Sequence, residues 1–463
     1  MAWGRLASFG AVAPAGAGGE GEGMRRSGWV RGLLSGAAVA LLALPAPAAA
    51  DRSRIAYSTT AGLPPSGDPP GMDRFALGYH GRRLHFAGDV ERAKAAGFKV
   101  TCRSIPVPST RFAGQLAVDV AHYQTADPGK ENPAAVGIIS GIHGGFEVGV
   151  GAAAQAAAAS VRRLMELREK RLDLIQVLNV NAFGCLAGRR TDENNVDLCR
   201  NWASPGDPLF SEANVGYDGL RDVLEPKGEV HHPRLEAARI ALGILRNLFR
   251  TPNLRRNVED LQQAIAGGQS GWPQGLFYSG KEPASQVNAV GSWFRAIAQR
   301  YDAVAVIDEH SGFGPRGVIQ LITEDAVSAR EAARLVADVR ADSGIILASD
   351  PRAGGIYTPQ GTPLSYLRGL LTPAQQEKSL FVAAEAGTVG ASLARKLQTI
   401  AIMVLENQGW HNGYATPEAE ETVTRAAAEL FNPSGRAWRA GILGGQEVLL
   451  DAIVARYGTP FDG

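Results

Sequence analysis

The chain has 463 residues, of which 45% are hydrophobic and 20% charged, with a formal net charge of +1. A chain of this length buries a large core, and its near-neutral balance leaves no broad basic face, which excludes a nucleic-acid partner. The three cysteines, Cys102, Cys185 and Cys199, show no C-x-x-C spacing and exclude a cysteine-built metal framework. In an oxidising compartment the odd count leaves at least one thiol free, with a Cys102 to Cys185 disulfide as one open pairing.

The first fifty residues differ from the rest. A basic stretch from Met24 to Arg31, an apolar run from Gly32 to Leu44 and the small residues Ala48-Ala49-Ala50 read as an export signal cleaved before Asp51. Met24 then reads as the start of translation and residues 1–50 as extension plus signal. The apolar run falls short of the roughly 20 residues a spanning helix needs, so no stable membrane span is expected after cleavage. The mature chain is expected to be periplasmic or extracellular. Residues 51–71, rich in Pro, Gly, Ser and Thr, read as a linker, and 72–463 as a single catalytic domain.

Lys99 to Pro106 and Gln115 to Tyr123 read as strands forming an antiparallel edge that leads into Ala134 to Ile139, an apolar run typical of a buried parallel strand. That strand ends in a glycine-rich turn carrying His143 and Glu147, followed by an alanine-rich helix to about Lys170. The charges at the end of this helix, from Arg162 to Lys170, read as a solvated face. Leu172 to Val180 is a second apolar strand, completing a right-handed βαβ unit. After GRRTDENNVDLCRNW (Gly188 to Trp202), helices near Arg234 to Phe249 and Val258 to Ala266 form an insertion. Gly268 to Pro283 reads as a shaped loop, and His231-His232 as surface residues.

Further along, Ala303 to Ile307 is a buried strand delivering Asp308-Glu309-His310-Ser311-Gly312. Strands at Val318 to Thr323 and Ser379 to Ala384, the second ending on Glu385-Ala386-Gly387-Thr388, alternate with helices at Val287 to Arg300, Ala326 to Asp342, Ala391 to Gln408, Pro417 to Leu430 and Gln446 to Tyr457. The fold class is therefore α/β, a mixed, mostly parallel twisted sheet between helix layers. Ligand sites in such sheets lie outside the carboxyl ends of the strands, so His143, Glu147, His310 and Glu385 are expected to share one crevice. Two imidazoles and a carboxylate suit a catalytic zinc ion, and a further carboxylate can move the proton of an attacking water.

The blocks IHGGFE, NVNAFG, NVDLCRNW, NVGY, GLFYSG, IDEHSGFGPRG and AAEAGT, spread in order over roughly Ala134 to Gly390, resemble the zinc carboxypeptidase superfamily. The likeness is closer to its bacterial branch called domain of unknown function 2817. The resemblance implies a zinc-dependent metallopeptidase or amidohydrolase with one Zn²⁺ per chain, bound by His143, Glu147 and His310. It implies Glu385 as general base, Arg190 or its neighbour Arg189 polarising the scissile carbonyl, and Arg200 binding a substrate carboxylate beside Cys199. The substrate would be a peptide or an N-acyl amino acid. A deacylase similar to succinylglutamate desuccinylase and aspartoacylase, and a non-catalytic binding protein on the same fold, are the alternatives.

This chain departs from the family in two places. It spaces the first ligands as H-x-x-x-E rather than H-x-x-E, which an i,i+4 pair accommodates if helix begins at Gly144. It also has Cys199 where the family writes Asn, exchanging an amide for a weak thiol donor. A catalytic tyrosine has two candidates, Tyr357 and Tyr366.

Overall fold

The computed structural model describes residues 70–125, 132–248, 260–261, 263–312, 314–339, 344–347, 359–388, 390 and 393–458. The expected signal, nearly all of the linker and Tyr357 lie outside these residues, as do Val258, Glu259 and Gln262 of the helix expected at Val258 to Ala266, whose other residues are helical. Among the described residues, no helix is long and apolar enough to cross a membrane.

One eight-stranded sheet organises the domain, with spatial order β1-β2-β4-β3-β5-β8-β6-β7. Its strands are β1 (Lys99–Pro106), β2 (Ala117–Gln124), β3 (Ala134–Ile139), β4 (Leu172–Leu178), β5 (Ala303–Gly312), β6 (Ile319–Ile322), β7 (Ile345–Leu347) and β8 (Leu380–Gly387). The pairs β3–β4, β3–β5, β5–β8 and β6–β7 are parallel, and β1–β2, β2–β4 and β6–β8 are antiparallel. The antiparallel edge exists as expected, but β2 pairs with β4 rather than with β3. The short strand β7 carries no sequence signal of its own.

Strands β3 and β4 are buried along their whole length, because helices cover both faces of the sheet. One face packs against the helices Tyr79–Ala95, Val148–Ala158, Ala326–Asp338 and Arg436–Tyr457. The other packs against Ala182–Ala187, Ser285–Ala298 and Pro363–Gly369. A third apolar cluster joins Pro233–Leu248, Leu393–Asn412 and Pro417–Phe431, and includes Phe146 from the turn after β3.

The helix expected to run to Lys170 is two helices, Val148–Ala158 and Val161–Glu169. Ser160 breaks it by accepting a hydrogen bond from Arg163 N, the work of an N-cap. Arg163 is not on a solvated face: it is 1% exposed and pairs with Glu166, Glu447 and Asp451, tying this helix to the last one. All three cysteines are free thiols, Cys102 exposed and Cys185 and Cys199 buried, so the Cys102 to Cys185 pairing is not formed.

Candidate metal centre

His143 and Glu147 leave β3 through a tight turn. The turn is 3₁₀ at Gly144–Phe146, not the start of the helix, which begins at Val148. Gly144 makes this possible with φ 53°, at a point where a Cβ would lie 2.2 Å from Arg189 O. Only glycine fits there. His143 and Glu147 flank this 3₁₀ turn as its N-cap and C-cap residues, and both are buried.

His310 comes from inside β5, which runs on through Gly312 instead of stopping at Ile307. One donor atom from each of His143, Glu147 and His310 lies within 4.8 Å of the others. The two imidazole rings sit 5.2 Å apart, tilted by 52°. Glu147 Oε2 is 3.1 Å from His310 Nδ1, and Glu147 Oε1 accepts from Ser311 N at 3.4 Å. His143, Glu147 and His310 are thus brought together at the carboxyl ends of β3 and β5.

Each histidine has a carboxylate behind it. Asp308, two residues earlier on the same face of β5, meets His310 Nε2 at 2.7 Å. Asp197 Oδ1 lies 3.2 Å from His143 Nδ1, near enough for its charge to act but out of line for a hydrogen bond, so that nitrogen is buried without one. Such carboxylates orient metal-binding imidazoles and raise their basicity. Neither aspartate was singled out from the sequence. The period of two along a strand identifies Asp308 once His310 is chosen, whereas nothing local marks Asp197.

The charges are strongly coupled. Burial, aided by the Arg190 guanidinium, lowers the His143 pKa and favours its neutral imidazole. Burial alone would raise Glu147, but His143 and His310 outweigh it and hold the carboxyl below its ordinary value. Burial opposes charge on His310 as well, yet Asp308 and Glu147 on either side raise it well above the usual imidazole value. Asp197 is also pushed up by burial and brought well below the carboxylate range by Arg190 and His143.

Arg190 Nε donates to Asp197 Oδ2 at 3.0 Å, and its Nη2 is 2.9 Å from His143 Nε2. Arg190 therefore stands at the cluster. Arg189 does not: its Nε donates to Glu406 and its Nη2 to Asn195 and Asn407, with Trp410 stacked against it. Adjacent side chains in this turn serve opposite sides of it. Arg200 donates to Ala266 O and Cys199 O, and Cys199 is buried among Arg200, His310 and Asp197. Burial pushes the Cys199 thiol up to about 12, which leaves it un-ionised.

Glu385 is the register partner of His310 across β5 and β8, so both project from the same face. Its carboxylate passes over Gly312, where an added Cβ would sit 3.3 Å from Oε1, and it is half-buried. Tyr366 packs edge-on against Trp202, 5.7 Å between ring centroids. His231 and His232 are exposed, as expected.

The family described as "Protein of unknown function (DUF2817)" matches residues 75–444. The chain belongs to that family. No curated protein matches it. Among solved structures, bovine thrombin-activatable fibrinolysis inhibitor in complex with tick carboxypeptidase inhibitor is similar, at 14% identity and a TM-score of 0.41 over 81% of this chain and 97% of that one. Carboxypeptidase A from Helicoverpa armigera matches at 12% identity and 0.38, over 86% and 81%. A metallo-carboxypeptidase from Burkholderia cenocepacia matches at 12% and 0.33, over 79% and 69%. Likeness at this distance says nothing about the activity of this DUF2817 member.

The donor set fits a metal ion. His143, Glu147 and His310 are all buried and bring two imidazoles and a carboxylate together, with one donor atom of each within 4.8 Å of the others. Two imidazole nitrogens and one carboxylate oxygen are a donor set that Zn²⁺ takes.

Proposed function

We propose that this chain is an exported, zinc-dependent hydrolase that cleaves a peptide bond or the amide of an N-acyl amino acid. The observation that supports it best is the meeting of His143, Glu147 and His310 donors within 4.8 Å beside the register partner Glu385. His143, Glu147 and His310 would hold the ion. When bound, zinc supplies Lewis-acid polarisation of the scissile carbonyl and of an attacking water.

Glu385 accepts the proton of that water and passes it to the leaving amine, a role open to a half-buried carboxylate at the rim of the cluster. Arg190, held in place by Asp197, presents a fixed cation to the oxygen on which negative charge develops, and its orientation is set before reaction begins. Arg200 binds the substrate carboxylate with its planar fork of donors, while Cys199 fills the wall beside it. Asp308 keeps the His310 ring fixed through Nε2 and leaves Nδ1 directed toward Glu147.

The test is a hydrolysis screen over free-carboxylate peptides, N-acyl amino acids and cell-wall peptides, run with metal analysis of the same sample. Stoichiometric zinc and chelator-sensitive turnover of one class support the reading. A chain that takes up no zinc, or takes it up and cleaves none of the three classes, overturns it. Export is tested by sequencing the N-terminus of the mature protein from the extracytoplasmic fraction.

A further inference from the structure

Phe277 adopts φ 56°, a left-handed conformation that costs a bulky residue energy. Such residues persist only where their surroundings over-determine them, and they gather at functional sites. Here three amide side chains clamp the loop in front of it. Asn195 Nδ2 donates to Pro273 O and Gly275 O, Asn407 Nδ2 to Gln274 O, and Gln269 Nε2 to Trp272 O and Leu276 O, all between 2.7 and 3.2 Å. Gly275 lets the loop lie flat on Tyr217, since a Cβ there would be 2.2 Å from the phenol oxygen.

The clamp delivers the Phe277 ring, 7% exposed, to the two arginines of the site. Its centroid is 5.3 Å from Arg190 Cζ and 5.6 Å from Arg200 Cζ, both within cation–π range. The next residue extends the link, because Tyr278 O accepts from Asp197 N at 2.8 Å, and Asp197 holds Arg190. Arg189 stands behind the clamp: it donates to the Asn195 and Asn407 side-chain oxygens and so directs the NH₂ ends of both amides at the loop carbonyls.

We infer that Phe277 is an aromatic platform that fixes the relative placement of Arg190 and Arg200, and that Arg189 is a positioning residue that holds this platform through Asn195 and Asn407. A guanidinium lying over a ring keeps its donors in the plane of its edge, where a carboxylate or an oxyanion meets them with less ordering left to do. The platform thus tunes the site for substrates that place a carboxylate near the scissile carbonyl. This kinetic consequence rests on the hydrolase reading above.

The experiment compares zinc-loaded wild type with Phe277→Gly and Phe277→Tyr. Glycine relaxes at positive φ and removes the ring, whereas tyrosine keeps it. Phe277→Gly is expected to bind zinc normally and lose about tenfold or more in kcat/KM, while Phe277→Tyr stays within about threefold, in line with the strength of desolvated cation–π contacts. Crystal structures of the two variants supply a second readout, with the Arg190 and Arg200 guanidiniums displaced only in Phe277→Gly. Unchanged kcat/KM in Phe277→Gly, or guanidiniums that do not move, would overturn the inference. If wild type cleaves nothing in the screen, the hydrolase reading falls and the guanidinium positions alone decide the platform.

Discussion

His310 and Glu385 are register partners on the neighbouring parallel strands β5 and β8, so their side chains leave the same face of the sheet. A candidate metal ligand and a candidate proton carrier are thereby set side by side by backbone pairing, not by loops. Glu385→Gln keeps the shape and removes the base. It should retain zinc and lose turnover by roughly 10²- to 10⁴-fold. His310→Ala should lose both, and metal analysis beside a rate assay distinguishes the two; near wild-type turnover in Glu385→Gln would refute its role.

Asp308 meets His310 Nε2 at 2.7 Å and leaves Nδ1 on the side of Glu147. Asp308→Asn should weaken zinc binding by about 10- to 100-fold, the usual effect of losing such a partner. Competition with a chromophoric chelator measures this directly.

Gly144 supports the 3₁₀ turn that brings His143 and Glu147 together. Gly144→Ala puts a methyl 2.2 Å from Arg189 O and 2.7 Å from Gly184 Cα at positive φ. We expect a loss of about 1–3 kcal/mol in stability from the combined overpacking and strain. Zinc affinity should fall with it. A variant with the melting curve and zinc content of wild type would contradict this account of the turn.

The three thiols should react unequally. Burial pushes Cys185 and Cys199 up to about 12 each, and the thiolate is the reacting form. A thiol-specific chromogenic reagent at neutral pH should therefore modify Cys102 quickly in the native protein and reach the other two only on unfolding. Fast native modification of Cys199 would show an open path to the pocket wall.

Lys396 carries the clearest pH signature outside the site. Burial lowers its pKa from 10.5 to about 7. In that interval the unfolded chain binds a proton that the folded chain does not, so this residue's contribution to stability falls as pH drops from 10.5 toward 7 and then levels off. Lys396→Met should raise the unfolding midpoint near neutrality, with a gain that shrinks in alkaline buffer. A gain independent of pH would mean that packing, not charge, sets the effect.

Residues in the sheet show what a local pattern can carry. The run Ala134 to Ile139 is apolar without a break, and Leu172 to Val180 is apolar apart from Asp173, Gln176 and Asn179, because both faces of these strands are covered; the first agrees with β3, and the second overruns β4, which ends at Leu178. Strand β5 ran further than its apolar part, since Asp308, Glu309 and His310 are polar residues kept in the strand by ladder pairing with β8. Ladder pairing is a tertiary fact, and it leaves no mark on hydropathy.

By itself the sequence carried the α/β alternation, the antiparallel edge, and four candidate residues, His143 and Glu147 in the turn after β3 and His310 and Glu385 within the last residues of β5 and β8. Local composition is enough for that, because burial and turn chemistry act over a few neighbouring residues. Only the tertiary structure shows that Arg190 lies against Asp197 and His143 while Arg189 turns to Glu406, since adjacent side chains on one turn face different partners 217 and 7 residues away. It also decided the carboxylates behind the histidines and the place of Phe277 between two arginines. Those choices depend on where distant segments meet in space, and spacing along the chain holds no record of that.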